Sequence, residues 1–184
     1  MNSTMTGQKF GFLFDWFDRD LDGHLTEQDL RATAAVFAQV APQEDLANRT
    51  AIHTAFGQWW RLLLEYADSN GDGQVSREEF IGAMADSVTA PANFQSAVMD
   101  IADAVIDATD TNMDGVLSRA EYVALYRALG VPEELSGPAF ERVDLNGDGV
   151  ISRHEYRAAI VDFYLSTDPD APGNHLLGPI GQAG

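Results

Sequence analysis

Apolar residues recur along this chain at helical spacing. Four times the pattern runs into a short polar stretch and then resumes. Eight, five, four and one residues before Asp18 stand Phe10, Leu13, Phe14 and Phe17. The same offsets hold Trp60, Leu63, Leu64 and Ala67 before Asp68; Ala102, Val105, Ile106 and Thr109 before Asp110; and Ser136, Ala139, Phe140 and Val143 before Asp144. Residues so spaced share one helix face. Leu30, Phe80, Tyr122 and Tyr156 follow the polar stretches and open a second helix each time. The spacing predicts helices over 6–17, 26–40, 43–67, 93–109, a segment around Leu125 stopped by Gly130, a short helix from Leu135 to Val143, and 153–166. Thr26 suits a helix cap, and Pro42 the first turn of the long helix, whose inner face carries Leu46, His53, Phe56, Trp59 and Trp60.

Each polar stretch is a 12-residue run with oxygen donors at positions 1, 3, 5, 9 and 12 and glycine at 6. A hard divalent cation takes six to eight oxygens, and position 7 adds a backbone carbonyl. The candidate ligands are Asp18, Asp20, Asp22, His24 (carbonyl), Thr26 and Asp29; Asp68, Asn70, Asp72, Gln74 (carbonyl), Ser76 and Glu79; Asp110, Asn112, Asp114, Val116 (carbonyl), Ser118 and Glu121; and Asp144, Asn146, Asp148, Val150 (carbonyl), Ser152 and Glu155. One such run reads equally as a solvated acidic turn. Four, each flanked by helices, are identified as EF-hand loops, with Ca²⁺ the expected ion.

The first loop differs at its last position, where Asp29 is one methylene shorter than Glu. One oxygen rather than two is expected to reach the ion, which brings the site nearer to Mg²⁺. Leu21 and Met113 stand at position 4 where the other loops have Gly71 and Gly147; both are expected to be tolerated surface side chains. His24 and His154 point no imidazole at an ion in this scheme, and His53 reads as a packed histidine. Position 8 holds Leu25, Val75, Leu117 and Ile151, β-formers that suit a short antiparallel bridge between paired loops. Cooperative binding within each pair follows as an expectation.

Charge fits this picture. The formal net charge is −18, which repels nucleic acid. Of the 29 acidic residues, the first loop uses four as ligands and each other loop three. There is no cysteine, no secretory-type apolar stretch at the start and no membrane-length apolar run. Met1 is followed by Asn2 rather than by the glycine that myristoylation requires. A soluble cytoplasmic monomer without a membrane partner is therefore expected. No nucleophile–base pair stands apart from the ligand carboxylates, so no enzymatic activity is expected.

The fold expected is all-α: four EF-hands in two pairs packed into one unit, with short β-bridges between paired loops. The first pair is placed at 1–90 and the second at 91–166, divided near Ala90-Pro91-Ala92. A Pro/Gly-rich tail at 167–184 carries Leu176, Leu177 and Ile180, which suit folding back over the helices. Loop starts at 18, 68, 110 and 144 are unevenly spaced. That spacing, the aromatic first helix and the tail DPDAPGNHLLGP resemble the sarcoplasmic calcium-binding protein family, particularly its calerythrin-like members. The resemblance implies a compact fold and a role in buffering or carrying Ca²⁺, with no protein target required. Sensors use Met-rich grooves, whereas here five methionines stand against ten Phe, five Tyr and three Trp. A sensor is the alternative, and a carrier of a bulky aromatic ligand, with Trp16, Trp59 and Trp60 around it, is a third reading.

Overall fold

The computed structural model describes residues 5–176. Helix α1 (Met5–Phe17) enters the first loop, strand β1 (His24–Leu25) crosses it, and α2 (Glu27–Ala38) leaves it. The second hand is α3 (Leu46–Tyr66), β2 (Val75–Ser76) and α4 (Arg77–Ala83). Two π-helical segments, Met84–Val88 and Gln95–Met99, flank the junction between the pairs, with α5 (Pro91–Phe94) between them. The third hand is α6 (Asp100–Thr109), β3 (Val116–Ser118) and α7 (Arg119–Ala128). The fourth is α8 (Glu133–Val143), β4 (Val150–Ser152) and α9 (Arg153–Leu165). A 3₁₀ turn, Pro172–His175, follows. The architecture is the expected one.

Both β-bridges form where position 8 is apolar. Leu25 pairs with Val75, and Leu117 with Ile151, each bridge antiparallel. These four side chains are buried and tie the bridges to the helices. One hydrophobic core runs through both pairs, from Phe10, Phe14 and Trp59 in the first to Tyr122, Tyr126 and Phe163 in the second. Aromatic rings interlock on the first pair's inner faces: Phe17 lies 4.7 Å from Trp59 between centroids, and Phe37 5.4 Å from Phe56. Offset and edge contacts at such spacings are the favoured ones.

Three expectations are corrected. The long helix starts at Leu46 because Asp45, whose carboxylate accepts the N–H of Asn48 at 3.1 Å, caps it. Leu46 is consequently exposed, and so is His53, which faces solvent rather than the core. The short helix begins at Glu133, directly after extended Pro132, and carries Pro138 inside it. Gly130, by contrast, stops α7 as expected: its φ is +82°, and the N–H of Val131 reaches back to the carbonyl of Tyr126 at 2.8 Å.

The tail folds back as far as it is described. Leu176 is buried in the core, and Asn174 donates to the carbonyls of Asp168 and Pro169 at 2.9 and 2.8 Å. Leu177 and Ile180 lie outside the described residues. Lys9 locks the other terminus onto the same end of the molecule. Fully buried, it donates to the carbonyl of Ser166 at 2.8 Å and lies over the Phe163 ring. Burial pulls its pKa down, with Asp162 and Asp168 pushing it back up.

Candidate metal centre

The four loops share one hydrogen-bond scaffold. At position 1, the carboxylate accepts backbone N–H groups from inside its own loop: Asp18 from Asp22 and Gly23, Asp68 from Gly71, Asp72 and Gly73, Asp110 from Asp114 and Gly115, Asp144 from Gly147 and Gly149, all at 2.7–3.2 Å. At position 5, the carboxylate accepts the N–H of position 7; the four bonds are 2.9–3.1 Å. Glycine at position 6 makes the turn, with φ of +77° to +86° in all four loops.

At position 12 the carboxylate spans the loop. Glu155 accepts from the N–H of Leu145 at 3.1 Å with one oxygen, and from the N–H and Oγ of Ser152 at 2.9 and 2.7 Å with the other. Glu79 and Glu121 repeat this with Ser69 and Ser76, and with Thr111 and Ser118. The position-9 hydroxyl is therefore half of a capping box on the exiting helix. It aims the position-12 carboxylate at the loop. Asp29 makes the same three contacts, with Arg19 N–H at 3.2 Å and with Thr26 N–H and Oγ1 at 2.9 and 2.6 Å. Both its oxygens are engaged, so the shorter arm still bridges the two ends of the loop.

The donor set fits a hard divalent cation. Asp18, Asp20 and Asp22 bring carboxylate oxygens within 4.8 Å of one another, the only such acidic triplet among the described residues. Asn70, Asn112 and Asn146 replace the middle carboxylate elsewhere. Crowding has an electrostatic signature: Asp20 is raised by desolvation first, then by the charges of Asp22, Asp29 and Asp18. A cation relieves that repulsion. Glu79 is pulled down to about 2, first by the N–H of Ser76 and then by the Ser69 and Ser76 hydroxyls. For Glu121 and Glu155, burial pushes the pKa up, but hydrogen bonds from Ser118 and Thr111, and from Ser152, Asn146 and Leu145, outweigh it. All three are anionic at neutral pH, so an arriving ion displaces no proton from them.

Family models match both halves of the chain. An "EF-hand domain pair" model covers residues 8–85, and an "EF hand" model covers 101–126 and 138–161. The sarcoplasmic calcium-binding protein of Perinereis vancaurica tetradentata is 32% identical over 173 residues, 94% of this chain and 97% of that one. The chain belongs to the sarcoplasmic calcium-binding proteins of the EF-hand class. Among other members, calerythrin of Saccharopolyspora erythraea is 26% identical over 89% of this chain and 94% of its own. A solved Streptomyces coelicolor calcium-binding protein, 26% identical, superimposes with a TM-score of 0.70 over 89% of this chain and 99% of its own. The chain thus binds Ca²⁺ through its EF-hands.

Two features of the loops escape a reading of ligand types alone. Leu21 and Met113 are exposed, as expected, but their backbones sit at φ of +61° and +60°. A side chain in the left-handed region costs about 1–2 kcal/mol. Met113→Gly is expected to raise stability by about 0.5 kcal/mol after the unfolded chain's added entropy is counted, read as a higher urea midpoint in the ion-free protein. The second feature is Ser69 and Thr111, at position 2, whose hydroxyls bond the position-12 carboxylates at 2.7 and 3.0 Å. Nothing in the ligand pattern singles them out.

Proposed function

We propose that the protein is a Ca²⁺ buffer, with the residues named at positions 1, 3, 5, 7, 9 and 12 of each loop as the ion's surroundings. Because the position-9 hydroxyls are engaged in capping, their oxygens act through water or by holding position 12. The observation that carries the buffer reading is the shared core. The inner faces of all four hands are spent on one another, with interlocked aromatic rings rather than a Met-lined groove. Met84 and Met99 are themselves buried near the junction of the pairs. Opening any hand breaks packing in its neighbours, and buffer hands open little. Loop scaffolds already hydrogen-bonded leave little ordering to be done on binding, which favours high affinity. A central cavity beside Leu13, Trp16, Trp59, Tyr126 and Leu176 measures about 60 Å³, far below the roughly 300 Å³ at which organic ligand sites begin.

Calorimetry with and without Mg²⁺, together with a dye that brightens on apolar surface, tests this reading. Dissociation constants near 10⁻⁸ M in order of magnitude, with no brightening when Ca²⁺ replaces Mg²⁺, are expected. Strong brightening on that exchange makes the protein a sensor instead. The first loop, closed by the shorter Asp29, is proposed to hold Mg²⁺ at rest; equal Ca²⁺/Mg²⁺ preference at all four sites would refute that.

A further inference from the structure

One contact is made three times. Position 10 of the second, third and fourth loops is Arg77, Arg119 and Arg153, the first residue of α4, α7 and α9. Each side chain leaves its own hand and lands on the entering helix of the hand it is paired with. Arg77 grips Asp15 of α1 with both nitrogens, one bond at 3.1 Å, and lies over the Phe14 ring at 5.6 Å. Arg119 holds Glu141 of α8 at 3.1 Å and lies over Phe140 at 5.9 Å. Arg153 holds Asp107 and, at 3.3 Å, Asp103 of α6.

The receiving positions correspond. Asp15, Glu141 and Asp107 stand three residues before the first ligand of their loops, and Phe14 and Phe140 four before. Gly11 and Gly137 stand seven before, and a Cβ on either would come within 2.8 or 2.7 Å of an arginine Nη2. At the equivalent place on α6 stands Asp103, a second carboxylate for Arg153 that also pairs with Arg157 at 2.5 Å. Among the described residues the fourth seam has no such contact. Position 10 of the first loop is Glu27, which pairs with Arg31 of its own helix at 2.6 Å. The residue three before the second loop is Glu65, of like charge. Here α2 and α3 enclose an open groove of about 320 Å³ floored by Leu30, Ala34, Phe56 and Trp60.

An isolated exposed ion pair contributes little to stability. What sets these apart is where their ends are fixed. Position 10 lies within one helical turn of the position-12 carboxylate, and the receiving acid lies within one turn of the partner loop's position 1. An ion drawn into a loop pulls on the position-12 carboxylate in the first turn of the exiting helix. The arginine at the head of that helix passes even a small adjustment to the entering helix of the paired hand, with no opening of either hand required. We propose that Arg77, Arg119 and Arg153 are positioning residues that couple paired sites. The second pair, linked in both directions, then binds its two ions with stronger positive coupling than the first, linked in one. This rests on Ca²⁺ binding at the loops.

Full-length chains with one pair disabled (Asp29→Asn with Glu79→Gln, or Glu121→Gln with Glu155→Gln) isolate each pair for Ca²⁺ calorimetry. Coupling of about tenfold, within the usual span for linked sites, is expected in the second pair and less in the first. Arg119→Gln with Arg153→Gln should reduce the second pair's coupling at least threefold. Lysine at both places should restore only part, lacking the fork and the stacking face. Glu27→Arg, which sets an arginine opposite Glu65 in the same register, should raise coupling in the first pair; a gain cannot arise from misfolding. Unchanged coupling in the Gln and Glu27→Arg variants overturns the proposal, whatever happens to the melting temperature. Absence of Ca²⁺ heat from the unsubstituted chain would overturn the calcium reading itself, a result visible before any arginine is changed.

Discussion

Glu155→Gln is expected to weaken Ca²⁺ at the fourth loop by more than about 100-fold, because changing even an outer-shell partner of a metal ligand costs 10–100-fold. Glu155 is 5% exposed, and both of its oxygens already face the loop. The amide keeps the shape but gives up a charge and one of two oxygens. Its NH₂ also meets donors: whichever way it turns, it faces the N–H of Leu145 or that of Ser152. Leaving such groups unsatisfied costs about 1–3 kcal/mol, so the ion-free protein should lose stability as well. The damage should spread to the third loop through the Leu117–Ile151 bridge, lowering apparent affinity there several-fold. Calorimetry resolves both effects; a fourth-site affinity within threefold of the original would mean that Glu155 is not a ligand.

Which parts of this molecule a reader of the sequence can see follows from how local their causes are. The loops are legible because ion chemistry demands oxygen donors at fixed offsets within twelve residues. Thr26 as a cap and Gly130 as a stop are legible because a single residue type decides each. Leu46 and His53 are misplaced by the pattern because a helical face extrapolates past its true start, and Asp45 competes with Pro42 for that start. Lys9 shows the other limit. Nothing beside it in the sequence marks it for burial, and the carbonyl that accepts its hydrogen bond, on Ser166, lies 157 residues further on. The arginine contacts are hidden for the same reason: position 10 of a loop carries no ligand, and Asp15 and Arg77 come together only once β1 and β2 have paired. Asp29 is a subtler case. Its length is legible in the sequence, and that it still reaches the same three donors as the glutamates is not.

Gly173→Ala is expected to destabilise the protein by about 3 kcal/mol, the size of effect that deleting a buried leucine produces. A Cβ at Gly173 would stand 2.2 Å from the carbonyl oxygen of Ala159, 2.6 Å from Cβ of Asp162 and 2.8 Å from the N of Phe163. All three belong to the rigid body of α9, so none can swing aside, and the tail must lift instead. Leu176 then leaves the core and the Asn174 bonds to Asp168 and Pro169 are lost. For a chain of this length the melting temperature should fall by about 6–12 °C. Leu176→Ala should cost a similar amount by a different route, leaving the tail docked over an enlarged cavity. The double variant separates these accounts: once Gly173→Ala has lifted the tail, Leu176 is already out of the core, so the second change should add almost nothing, a large departure from additivity between neighbours. Additive losses would show instead that Leu176 stays packed when Gly173 is replaced, and that the close approach to α9 is not what holds the tail down.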